Sequence, residues 1–344
     1  MDHQMALAQR LLGNPAVETM THIALVVLGG LLWTCSAQAQ ANDARWPERP
    51  IRLIVPFTAG SSSDIVARLV AQKLGERLGQ PLVVENRVGG GGSIGTGEVA
   101  HADADGYTLG LANTSTHAVA ASLAPLPYDP VKDFAPISML GHSPFVLALY
   151  PGVPAQSVQE LIALARAKPR MLNYASAGLG SYPHLDMEKL QKAAAITLTH
   201  IPYKGGAGQM IPAIIAGEAP VAFLNLSSAL PHVRSGRMKA IATTAPGRLT
   251  ELPNVATMAE QGFPGIGTNA WQGMFAPAAT PKPIVDKIYR SVAAVLSNSQ
   301  MKEQLSKQML DVTLSSSPAQ FQQLVEKETH AWGDFLHEAK IKIE

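Results

Sequence analysis

Residues 81–100 read PLVVENRVGGGGSIGTGEVA. Pro81–Asn86 has the composition of a short strand, Ser93–His101 that of a short helix, and Gly89–Gly92 lie between them. Strand, tight turn and helix make the start of a parallel β–α unit. Gly90, Gly92 and Gly95 also satisfy G-x-G-x-x-G, the arrangement that sets a dinucleotide pyrophosphate on a helix start. That reading needs an acid at the end of the next strand, about 20 residues on, to hold the ribose. The next strand, Thr108–Asn113, ends in Asn113, and Asp103 and Asp105 precede it. The glycines also open the second β–α turn rather than the first. A nicotinamide enzyme is therefore the weak alternative, no cofactor is expected, and the glycines read as a tightly packed helix start.

Around this stretch the alternation continues. Ile51–Phe57 is a β-branched apolar run, and Ser63–Leu78 places Ile65, Val66, Leu69, Val70, Leu74 and Leu78 at helical spacing. After an apolar segment, Pro136–Tyr150, broken by Gly-His-Ser-Pro, come helix 158–168, strand 172–177, helix 184–194, strand 197–203, helix 208–216, strand 219–225, helix 227–235 and strand 239–244. Thr268–Ala276 reads as a further strand; Pro283–Ser297 and Pro318–Ala339 read as amphipathic helices. The expectation is an α/β fold of two lobes joined by two crossing strands, closing on a ligand cleft. Lobe 1 is assigned 46–140 plus 270–344, and lobe 2 141–269.

The chain has 344 residues, 47% hydrophobic and 15% charged, with a formal charge of +1, a globular composition without the basic excess of a nucleic-acid binder. Ile23–Trp33 is an apolar run followed by small residues with two A-x-A sites, Ala37-Gln38-Ala39 and Ala39-Gln40-Ala41, so residues 1–39 read as a secretory signal peptide; an anchor helix is the alternative. Cys35, the one cysteine, would leave with it, so the mature chain has no disulfide and no thiolate chemistry.

In open parallel sheets ligands sit outside the carboxyl ends of the strands. Those ends here carry Thr58-Ala59-Gly60-Ser61-Ser62-Ser63-Asp64, Asn113-Thr114-Ser115, Gly178-Leu179-Gly180-Ser181, Tyr203-Lys204 and Asn225. Small, hydroxyl- and glycine-rich loops at helix starts offer amides and a positive dipole end to an anion, although serine also simply caps helices. Asp64 is expected to cap the following helix or tie down its loop. Catalytic signals are weak. The mature histidines show no H-x-H or H-x-x-x-H spacing, there is no G-x-S-x-G elbow, and the one conceivable pair, Ser181 with His184, supports a secreted hydrolase only as an alternative.

The stretch WPERPIRLIVPFTAGSSSDIVARLVAQKLGERLGQPLVVENRVGGGGSIG resembles the opening of the Bug receptors, the extracytoplasmic solute receptors of tripartite tricarboxylate transporters. ADGYTL, LPYDPVKDFAPIS, IPYKGG, SSALPHVRSGRMKAIATT, LPNVATMAEQGFPG and WQGMFAPAATPKPIV resemble further family stretches in order. The resemblance implies a type II periplasmic binding protein of the Venus-flytrap kind, not an enzyme, holding a small carboxylate between the lobes through backbone amides and bridging waters. By resemblance, Phe57, Thr58, Ala59, Gly60, Ser61, Ser62 and Asp64, with Asn113, Thr114 and Ser115 behind them, form the first wall. Gly178, Gly180, Ser181, His184, Tyr203, Lys204 and Asn225 form the second, and Ser143 in the crossing segment is counted with them. Ser61 stands where family members usually have glycine, and is expected to narrow the loop or add a hydroxyl to the ligand. The expected ligand is a dicarboxylate, tricarboxylate, amino acid or aromatic acid. The implied partners are membrane transporter subunits or a sensor, the implied location is the periplasm, and a monomer is expected.

Overall fold

The computed structural model describes residues 45–203 and 207–338; the expected signal peptide and Lys204 lie outside the described residues. Strand β1 (Ile51–Val55) is buried at every position except Arg52, as a parallel strand covered on both faces requires. It pairs in parallel with β2 (Leu82–Asn86) and β3 (Thr108–Asn113). Helix α1 (Ser62–Leu78) joins β1 to β2 and buries Val66, Val70 and Leu74, the stripe that the helical spacing predicts. Helix α2 (Ser93–Ala100) joins β2 to β3.

The chain then enters β4 (Phe134–Leu149), buried except at Ala135 and His142. Its first part runs antiparallel to β9 (Asn269–Pro277), which also flanks β3. Its last five residues pair antiparallel with β7 (Val221–Asn225), and the last four of them also with β8 (Lys239–Thr243). Strands β5 (Asn173–Ser176) and β6 (Thr199–Pro202) complete the second half in parallel with β7. The sheet path is therefore β2-β1-β3-β9-β4-β7-β5-β6, with β8 on the other side of β4. One strand, β4, carries both halves, and the return at Asn269 opposite Pro144 is the second crossing. Helices α3 (Val158–Ala167), α4 (Tyr182–Ala194), α5 (Ala207–Ala216) and α6 (Leu226–Arg234) cover the second half. Helices α7 (Lys282–Ser297), α8 (Ser299–Lys307) and α9 (Pro318–Glu338) follow β9. This is the α/β, two-lobed binding-protein architecture.

Two elements were not anticipated. Helix α8, SQMKEQLSK, buries only Met301 and Leu305, too few for a visible stripe. A π-helical turn, Ser115–Val119, follows β3 directly and buries His117 completely among aromatic rings, with Phe275 stacked at 4.2 Å. Helix α9 reaches α4: Lys189 Nζ lies 3.4 Å from the Trp332 ring centroid, and Lys192 pairs with Glu338 at 3.0 Å. Ala118, Val119, Leu185, Trp332 and Leu336 form the apolar patch between them.

Candidate functional site

Two asparagines at strand ends behave alike. Asn113, closing β3, accepts the N–H of Ser115 on Oδ1 at 2.9 Å and that of Thr116 at 3.3 Å. Asn225, closing β7, accepts the N–H and the hydroxyl of Ser227 on Oδ1 at 3.0 and 2.6 Å. Each oxygen caps the helical turn that follows, as asparagine does well. Each Nδ2 is left without a partner among the described residues, a donor pointing away from its own cap.

The ladder puts these asparagines on a common surface. Directly opposed residues of an antiparallel pair share a face, and so do residues two apart on one strand. Asn113 opposes Gln272, Gln272 opposes Gly141, Ser143 opposes Ala270, and Phe145 opposes Asn225. The face therefore runs Asn113, Gln272, Ser143, Phe145, Asn225 from one lobe to the other. Gln272 Nε2 reaches Ser62 Oγ at 3.5 Å and Ser143 Oγ at 3.4 Å, joining the start of α1 to the crossing strand. Gln272 was absent from the sequence reading because it lies inside a strand, not at its end. A glutamine between Trp271 and Gly273 in an otherwise apolar strand is the signal that could have shown it.

At the mouth of this face stands the Phe57–Asp64 loop. Ser61 accepts the Asp64 N–H at 3.3 Å and is the cap of α1. Asp64 is not the cap but the tether: it accepts the Gly60 N–H at 2.9 Å, Asn86 Nδ2 at 2.9 Å and Arg68 at 2.9 and 3.0 Å. Burial pushes the Asp64 carboxyl up, but the bonds from Arg68, Gly60 and Asn86 outweigh it and hold it below its ordinary range. The Gly60 amide is taken up by Asp64, and the Ser61 amide by the Thr58 carbonyl at 3.1 Å. The amides this loop still presents are those of Thr58, Ala59 and the first turn of α1, Ser62 and Ser63. The Phe57 carbonyl accepts from Asn86 at 3.0 Å, and Thr114 Oγ1 accepts the Trp271 N–H at 3.1 Å, so both fasten the wall.

The second-lobe loop is held by hydroxyls and imidazoles. Ser181 Oγ donates to the Gly178 carbonyl at 2.7 Å, and Ser176 Oγ accepts the Gly178 N–H at 3.0 Å. Buried His184 accepts the Gly180 N–H on Nδ1 at 3.2 Å, which requires the neutral ring with its proton on Nε2. Burial lowers its pKa, and also lowers that of His200, whose ring lies 4.6 Å away, to about 4 with help from His184. Ser181 and His184 thus make separate bonds and form no nucleophile–base pair. Tyr203 donates its N–H to the Ser176 carbonyl at 2.8 Å, and its ring packs on the core below α5 and α6. Buried Asp186, pushed up to about 6 by burial, takes the Thr268 N–H and hydroxyl at 2.8 Å each and ties α4 to the return crossing.

The glycine cluster has a packing role. Gly92 has φ +102°, and a Cβ there would meet Thr116 Cγ2 at 2.8 Å; at Gly95 it would meet the Arg87 carbonyl at 2.5 Å. The cluster lets α2 press against β1 and the turn behind Asn113. Among the described residues no group of three His, Cys, Asp or Glu side chains could hold a metal, and no helix is long and apolar enough to cross a membrane. A groove of about 620 Å³ lies elsewhere, between β4, α7 and α9, lined by Pro136, Thr280, Val285, Tyr289, Arg290 and Pro318 among others. None of the strand-end loops carrying the candidate residues contributes to it, so the candidate site is taken from the polar face rather than from the groove.

Two lobes on a shared strand, with polar loops at their strand ends, are the architecture of a solute-binding protein. The chain belongs to the tripartite tricarboxylate transporter family receptors, whose model matches residues 66–341. It is 35% identical to the protein BugT of Bordetella pertussis over 93% of this chain and 98% of that one. Among solved structures it is similar to Rpa4515 of R. palustris with adipate, at 34% identity and TM-score 0.77 over 86% of this chain and 99% of that one. It is also similar to MatC of Rhodopseudomonas palustris with bound malate, at 33% identity and TM-score 0.73 over 85% of this chain and 100% of that one. The chain is a receptor and not an enzyme.

Proposed function

We propose that this receptor works in the periplasm and binds a small carboxylate across the polar face between its lobes. The lobes are 46–140 with 270–344, and 141–269. The observation that carries this reading is the pair Asn113 and Asn225, one per lobe, each with its oxygen engaged in a cap and its Nδ2 unpartnered among the described residues. A ligand spanning two such donors prefers the closed state, and only that preference shifts the open–closed equilibrium. The amides of Thr58, Ala59, Ser62 and Ser63 supplement the donors, while the Gly60 amide is taken up by Asp64. Relatives solved with adipate and malate support the class of ligand. The closed form is recognised by a membrane transporter subunit.

The test is thermal unfolding of residues 40–344 against di- and tricarboxylates, amino acids and aromatic acids. A ligand at 100 times its dissociation constant adds about 2.7 kcal/mol and raises Tm visibly. Stabilisation by at least one acid is expected. No shift with any acid, in folded and ligand-free protein, overturns the proposal.

A further inference from the structure

Gln272 is 4% exposed, and its Oε1 has no hydrogen-bond partner among the described residues. Its Nε2 bonds to Ser62 and Ser143, at 3.5 and 3.4 Å, sit at the long limit for such contacts. A buried carboxamide oxygen without a donor is costly and calls for a specific partner. Its neighbours on the face offer mostly donors: Asn113 Nδ2, Asn225 Nδ2 and the amides at the start of α1. A ligand composed only of carboxylate acceptors satisfies those donors and leaves Oε1 unsatisfied. A ligand that also carries an O–H or N–H beside its carboxylate satisfies both.

We infer that Gln272 is the specificity residue of this receptor, accepting a hydrogen bond from a hydroxyl or ammonium next to a ligand carboxylate. The preferred ligands are then 2-hydroxy- or 2-amino-carboxylates. The inference rests on the carboxylate-receptor reading and adds the substituent. Sites that hold a buried partner for a ligand O–H or N–H discriminate strongly against analogues lacking it, because the protein group is then left bare.

The experiment is calorimetric titration with matched acids: malate and aspartate, each against succinate. In the wild type the substituted acid is expected to bind roughly 10- to 100-fold tighter, the worth of one well-buried bond. Gln272→Met keeps the length and removes both polar ends; the ratio is expected to fall to within about 2-fold. If the Met variant does not unfold cooperatively, Gln272→Asn, which withdraws the acceptor by one methylene, is expected to shrink the ratio as well. Succinate binding the wild type as tightly as malate and aspartate, or a ratio unaltered by the substitutions, overturns the inference while leaving the carboxylate receptor intact. Failure of every acid, in the wider panel too, overturns both.

Discussion

Asp64→Ala removes the tether of the first-lobe loop. The carboxylate, nearly buried at 4% side-chain exposure, accepts from Gly60, Asn86 and Arg68. Removing one partner of a buried charge pair costs about 3–5 kcal/mol when the other is left buried. Arg68 is 52% exposed and returns to water, and Asn86 keeps its bond to the Phe57 carbonyl, so the expected loss is smaller, about 2–3 kcal/mol. At about 2 °C per kcal/mol for a domain of this size, Tm falls by about 4–6 °C. The freed loop must be ordered again on binding, and affinity for the best acid of the panel drops about 10-fold. Urea unfolding and calorimetry measure the two effects. The sign of the pH effect follows from the lowered folded-state pKa: the Asp64 contribution is complete above the unfolded carboxyl value near 3.9 and is lost as pH falls through the folded value. An Asp64→Ala protein within about 0.5 kcal/mol of wild type, with unchanged affinity, refutes the tether.

Three further outcomes follow from the same geometry. Ser61→Ala should cost about 1 kcal/mol by deleting the α1 cap, whereas Ser61→Gly should cost only a few tenths; equal losses would deny the cap. Ser181→Ala should leave the protein without ester or amide turnover, as the wild type is, and lower ligand affinity only mildly; turnover lost on substitution would restore the hydrolase reading. His117 is fully buried, with its pKa lowered by desolvation to about 3, so the folded state binds fewer protons than the unfolded state below pH 6.5. Stability should fall by about 1.6 kcal/mol from this group between pH 6.5 and 5, and His117→Phe should flatten that slope in urea unfolding; an equal slope contradicts it.

The alternation of strands and helices was legible because the longer helices carry an apolar stripe and the central strands are apolar on both faces, and α8, which lacks such a stripe, was missed. The strand-end loops were legible because parallel topology fixes where they gather. What each residue does there was less so. For Asp64 the sequence left capping and tethering open, and the structure selects the tether, since capping depends on φ and ψ at one position, which Ser61 holds. The Ser61 oxygen caps α1. Gln272 enters the site through cross-strand register, a long-range property that no local spacing records. The glycines at 89–92 signalled close packing, but only the neighbouring Thr116 and Arg87 show against what.

The central claim is that one carboxylate bridges Asn113 and Asn225. Asparagine to aspartate keeps the capping oxygen and replaces the free amide with a negative oxygen. Calorimetry with the best-binding acid, on Asn113→Asp and Asn225→Asp separately, tests the claim most directly. Each variant should fold with nearly wild-type stability and bind at least about 10-fold more weakly, because a donor has become a repelling charge. Wild-type affinity in either variant would mean that the ligand does not bridge these two residues.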